Sequence, residues 1–201
     1  RRFGRLDCVV DAVWGGNEGY DGERYPDGSG FGTPFWRRPV ARLGESFESG
    51  VYAQLLLARA VAPAMVQARS GLIVTLSFDM AGAYLGDVFY DLAKATMNRL
   101  SFAMAKELKP FGVTALGLSP GHVLTERVRD AGLGDQTTET PLYAGRAVAA
   151  LAADPDVMRH SGKVLHVADL ARAYGFTDRD GSQPARYVID NQEGGGDVAQ
   201  G

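Results

Sequence analysis

Four short β-rich runs restrict the fold of this chain more than any other feature. They lie at residues 6–13, 72–77, 113–119 and 163–167, and the first three are apolar almost without interruption. A strand with one wet face alternates apolar and polar residues, whereas a strand covered on both faces has no reason to alternate. Helical patterns fill the intervals. Residues 44–69 carry Leu55, Leu56, Val61, Met65 and Val66 at helical spacings, with Pro63 expected to kink or locally distort the helix. Asp87 is a suitable N-cap for a second helix ending at Lys109-Pro110-Phe111-Gly112. Within it Phe89, Leu92, Ala93, Met97, Leu100, Met104 and Leu108 form one stripe. Pro141 opens a third helix running to Ala153. Covered strands alternating with helices predict an α/β fold with parallel crossovers.

At 201 residues and 45% hydrophobic, the chain can bury one good core, read as a single domain over 1–189. Residues 190–201, with Gly194-Gly195-Gly196, are expected to be a mobile tail without chemistry. The net charge of −3 gives no reason to expect a nucleic acid as partner. A single cysteine, Cys8, excludes an internal disulfide and suits a reducing compartment; in an apolar run it reads as a small core residue. The longest apolar run, 55–66, is interrupted by Arg59 and Pro63, so no membrane span is expected. Residues 1–5 have no apolar signal core behind them. A cytoplasmic protein follows. The stretch 14–42 fits no regular element, yet Trp14, Tyr20, Tyr25, Phe35 and Trp36 argue against disorder, because such side chains seek burial. Gly28-Ser29-Gly30-Phe31-Gly32 lies inside it; a phosphate-binding role is weak there, since no strand precedes the glycines.

Tyr90 and Lys94 stand four residues apart on the second helix, so the phenol and the ammonium share one face. Ser77 ends the second strand-like run and can reach the same space from the sheet. A nearby ammonium favours the phenolate; bringing a phenol down by about three units takes roughly 4 kcal/mol of differential stabilisation. Such a trio can exchange a proton with a carbonyl or an alcohol. His122, His160 and His166 lack metal-ligand spacing, and Ser77 lacks a Gly-x-Ser-x-Gly elbow, which argues against a metal site and against a hydrolase. Thr125-Glu126 fits the start of a short helix as well as a ligand contact.

Taken together, Ser77, Tyr90-Asp91-Leu92-Ala93-Lys94 and Ser119-Pro120-Gly121-His122-Val123-Leu124-Thr125 resemble the short-chain dehydrogenase/reductase family, over residues 5 to 181. Phe35-Trp36, Ser161-Gly162-Lys163-Val164-Leu165 and Asp169-Leu170-Ala171-Arg172 point to one branch of it. The resemblance implies a Rossmann-like doubly wound parallel sheet, here lacking its first three strands, in the carboxyl-terminal two thirds of a longer protein. It also implies NAD or NADP as cofactor and a small carbonyl or secondary-alcohol substrate. Tyr90 would be the acid/base, Ser77 would orient the substrate oxygen, and Lys94 would hold the nicotinamide ribose. Pro120 and Gly121 would bring the backbone close to the cofactor, with Val123 on the carboxamide and Thr125 on the nicotinamide half. Trp14, Phe35, Trp36 and His122 would wall the substrate pocket. Helices 44–69 and 87–109 would pair with their copies in a homodimer or homotetramer. Two departures stand out: Asp11-Ala12-Val13-Trp14 replaces Asn-Asn-Ala-Gly, and Phe47 replaces an asparagine that often joins the catalytic group. They favour the alternative, a non-catalytic binding or scaffold protein that keeps the fold.

Overall fold

A computed structural model describes residues 4–136 and 138–189. Its sheet has four parallel strands, β1 (Cys8–Asp11), β2 (Gly71–Leu76), β3 (Val113–Ser119) and β4 (Val164–His166), ordered β1-β2-β3-β4. Pairing is in step from Cys8↔Leu72 through Leu72↔Thr114 to Gly117↔Val164. The helices are α1 (Ala41–Ala68), α2 (Val88–Leu108), α3 (Glu126–Asp130), α4 (Pro141–Ala153) and α5 (Val167–Tyr174).

The lack of alternation in the strand sequences now has its cause. Leu72, Val74, Leu116 and Leu118 face one layer, where Tyr143, Ala147, Leu151, Val167 and Leu170 of α4 and α5 close over them. Ile73, Val113 and Ala115 face the other, against Ala58 and Met65 of α1 and Ala105 and Leu108 of α2. Every residue of β3 is buried. Helices on both faces of a parallel sheet make the doubly wound arrangement expected from the sequence.

One expectation changes. The helix α1 runs through Pro63, which lies on the exposed face, where water can serve the carbonyl its missing N–H leaves open. The departure from α geometry is a π-helical stretch at Phe47–Tyr52. Because α1 continues past both Arg59 and Pro63, it is long and apolar enough by length and composition to cross a membrane, contrary to the sequence reading. Ala58 and Met65 pack into the core, while 22% of the helix's most apolar window is buried.

The stretch 14–42 is organised by two arginines. Arg42 lies over the Tyr25 ring at 3.9 Å and pairs with Asp27 at 2.9 Å and Glu45 at 3.0 Å. Arg38 pairs with Asp87 at 2.6 Å and donates to the Gly30 carbonyl at 2.6 Å. The glycines serve this packing: a Cβ on Gly30 would lie 2.4 Å from the Glu23 carbonyl oxygen. The tail at 190–201 falls outside the described residues.

Candidate active site

The chain leaves β1, β2 and β3 at their carboxyl ends, where open parallel sheets bind ligands. Trp14 follows β1, Phe78 follows β2, and Gly121 and His122 follow β3; all four line a cavity of about 660 Å³. Tyr90 joins them from the first turn of α2. That turn is fixed by Asp87, whose Oδ1 accepts from the Phe89 and Tyr90 N–H groups, while its Oδ2 takes the Arg38 guanidinium. The capping residue is thus also the anchor of the long loop.

Tyr90 and Lys94 do share a face. Lys94 Nζ stands 3.7 Å from the Trp14 ring centre and 5.4 Å from that of Tyr90, and the lysine is 6% exposed. Ser77 is buried just beyond β2, with its Oγ 3.5 Å from the Lys94 carbonyl oxygen, to which it donates. All three gather where β2 meets α2, but only Tyr90 of the trio lines the cavity.

The electrostatics depart from expectation. Burial, reinforced by Tyr25, Asp87 and Tyr187, pushes the Tyr90 hydroxyl above its ordinary range rather than below it. Burial also brings Lys94 down to about 7, with Asp11 acting in the opposite direction. Burial is the leading cause at both groups, and it favours the neutral form of each. Tyr90 is therefore held as the neutral acid.

The pocket expectations divide. Trp14 and His122 line the cavity, but Phe35 and Trp36 are 60% and 67% exposed and stack edge-to-face on each other at 5.2 Å. They sit in a 3-10 turn, Phe35–Arg37, with no buried residue. Phe31 from the same loop takes the place proposed for them, 6.0 Å from the Tyr90 ring and 5.5 Å from Tyr20. Among the cofactor candidates, Gly121 and Thr125 reach the cavity. Thr125 Oγ also accepts from the Val128 N–H at 3.2 Å, so it caps α3. Val123 pairs with Glu139 as an isolated bridge and does not line the cavity, and Pro120 faces a narrower cleft with Glu139, His166 and Arg186.

Glu139 escaped the sequence reading. It is 4% exposed, its Oε1 has no partner, and burial raises it to about 7 even though the Gly121 N–H donates to it. A Cβ on Gly121 would lie 2.8 Å from Glu139 Oε2, so the glycine is required by the chain's own packing. Among the described residues no group of His, Cys, Asp or Glu side chains could hold a metal ion.

The family model for short chain dehydrogenase matches residues 32–136, which span the long loop's end, α1, β2, α2, β3 and α3. The chain belongs to the short-chain dehydrogenase family. It is 33% identical over 199 residues to dehydrogenase/reductase SDR family member 1 of Mus musculus and 30% identical over 200 residues to that of Homo sapiens. Each match covers 92% of this chain but only 61% and 62% of the relative, so the chain spans about three fifths of their length. Among solved structures, a short-chain dehydrogenase/reductase from Caenorhabditis elegans superposes with a TM-score of 0.66 at 21% identity, covering 83% of this chain and 66% of that one. 7α-Hydroxysteroid dehydrogenase, complexed with NADH and 7-oxo glycochenodeoxycholic acid, superposes at 0.61 and 23% identity, covering 90% and 65%. At these identities the structures attest the shared fold.

Proposed function

We propose that this protein is a nicotinamide-dependent oxidoreductase that transfers hydride to or from a small carbonyl or secondary alcohol, with Tyr90 as the acid/base. One observation carries the reading: the Tyr90 ring forms a wall of the cavity at the strands' carboxyl ends, with a buried lysine one helical turn behind it. Family membership supports the reaction class, and the bound NADH of the hydroxysteroid relative and the bound NADP of a second neighbour support the cofactor.

The residues at the nicotinamide end fit such a group. Gly121 presents bare backbone to the cavity, and Thr125, whose oxygen caps α3, still has its O–H proton to donate. Gly121 and Thr125 would hold the cofactor from the cavity wall, with Lys94 behind Tyr90; when bound, the cofactor supplies the hydride. Tyr90, kept neutral by its surroundings, gives its proton to the carbonyl oxygen in the reducing direction. Ser77, buried behind the cavity wall with its hydroxyl on the Lys94 carbonyl, would have to turn that hydroxyl toward the cavity to hold the oxygen. The rings of Trp14, Phe31 and Tyr20 keep the substrate side dry and apolar, which suits a nonpolar ketone. The same reading places the protein in the cytoplasm, without nucleic acid or membrane as partner. It also pairs copies as a homodimer or homotetramer through α1 and α2, where Tyr52, Leu55, Leu56 and Leu92 are exposed.

The scaffold alternative has a specific observation in its favour, the engagement of the Ser77 hydroxyl with backbone. Energy transfer separates the two. Trp14 lines the cavity, so NADH or NADPH bound there should quench tryptophan emission and gain its own. Absence of transfer with both cofactors would leave the non-catalytic role as the better account.

A further inference from the structure

Lys94 is an ammonium surrounded by rings. Its Nζ lies over the faces of Trp14 at 3.7 Å and Tyr90 at 5.4 Å. An ammonium taken out of water is costly unless something replaces the lost hydration, and an indole face is the best aromatic substitute. A buried carboxylate adds to it from the end of β1. Asp11 is 3% exposed; its Oδ1 accepts from the Val13 N–H at 3.0 Å and its Oδ2 has no hydrogen-bond partner. It therefore acts on Lys94 through its field, which favours the charged form.

The indole is held from several sides, with the remaining side on the cavity. Its Nε1–H donates to Asn17 Oδ1 at 2.7 Å, and its edge meets the Tyr90 ring at 5.4 Å and 84°. Two glycines leave the slot it fills. A Cβ on Gly16 would lie 2.6 Å from Trp14 Cζ2, and a Cβ on Gly50 would lie 2.8 Å from Cζ3. Gly50 belongs to the π-helical stretch of α1, a departure from regular geometry often found beside functional sites. The irregular turn, the paired glycines and the asparagine anchor all converge on one ring.

We propose that Trp14 is a positioning residue for this site: its indole face holds the Lys94 ammonium at a fixed place beside Tyr90. The cation's charge and aim then depend on an aromatic ring where an oxygen ligand would be usual. The kinetic half of this inference rests on Tyr90 and Lys94 being the proton-handling pair; the physical half does not.

The two halves are tested separately. The chain has two tryptophans, and Trp36 is exposed, so Trp36→Phe makes Trp14 the sole indole without touching the site. Its emission, followed from roughly pH 5.5 to 9, should change sigmoidally as Lys94 gains and loses its proton, and the change should vanish on adding Lys94→Met. The other groups able to report there are Asp11, Tyr90, His122 on the cavity wall and Glu139 behind Gly121. A change that survives Lys94→Met belongs to one of them and overturns the inference, as does a flat emission. Gly50→Ala, which drives a methyl into the ring without altering any charge, should shift the midpoint to lower pH; an unmoved midpoint counts against the clamp. In turnover, Trp14→Leu should cost about 10- to 30-fold in kcat/KM and move the pH profile downward, with Trp14→Phe recovering part of both. Absence of turnover in the parent protein defeats the proposed reaction and leaves the emission titration standing. Normal turnover with flat emission defeats the clamp alone.

Discussion

Replacing Arg38 with methionine is the most informative perturbation of the scaffold. The guanidinium and the Asp87 carboxylate meet at 2.6 Å with side chains 1% and 5% exposed. The same guanidinium supports the Gly30 and Thr33 carbonyls. Methionine fills most of the volume but leaves Asp87 Oδ2 facing a dry space. Removing one partner of a buried pair costs about 3–5 kcal/mol, chiefly through the charge left behind. For a chain of this size that is a fall in Tm of roughly 6–20 °C. Asp87→Asn should cost a similar amount, because it strands the arginine. The double variant should cost clearly less than the two singles together, since neither charge is then left alone. Urea unfolding followed by circular dichroism measures all four proteins. A loss under about 1 kcal/mol for Arg38→Met, or strict additivity, would refute the idea that this pair pins the long loop to the start of α2.

Three further outcomes concern Lys94, Glu139 and Gly121. Lys94 is at about 7 in the folded chain against an ordinary 10.5, so the folded state bears the cost of its charge fully below pH 7 and sheds that cost as pH rises toward 10.5. Lys94→Met should therefore raise Tm most at low pH, with the gain shrinking across that window. Glu139 is raised to about 7 from 4.5, so stability present below pH 4.5 is lost as pH climbs to about 7, and Glu139→Gln should flatten that slope in a Tm-versus-pH series. Gly121→Ala should destabilise the chain and weaken cofactor binding together, because its methyl would meet Thr138 Oγ and the Glu139 carboxyl; a silent substitution by thermal melt and ligand titration would contradict the close packing.

The layered core was legible because both faces of β2 and β3 are covered and the sequence therefore never alternates. The Asp87 cap and the Pro141 start were equally readable, since local chemistry decides them. What failed to show depends on contacts between distant segments. Arg38 and Asp87 are 49 residues apart, and nothing local marks Arg38, rather than its neighbour Arg37, as the buried one. Phe31 reads as part of a glycine run and Phe35-Trp36 as a pocket wall; the structure puts Phe31 on the cavity and leaves Phe35 and Trp36 exposed in a 3-10 turn. Spacing reports that a cation is near Tyr90 but not how dry the surroundings of either group are.

The most direct test of the account is Tyr90→Phe, assayed for both turnover and cofactor affinity. The variant keeps the ring that packs against Trp14 and Phe31 and removes only the hydroxyl. Turnover should fall by at least about 100-fold while cofactor affinity stays within about twofold of the parent. Substantial remaining turnover would show that the proton passes through another group and would contradict the role given to Tyr90.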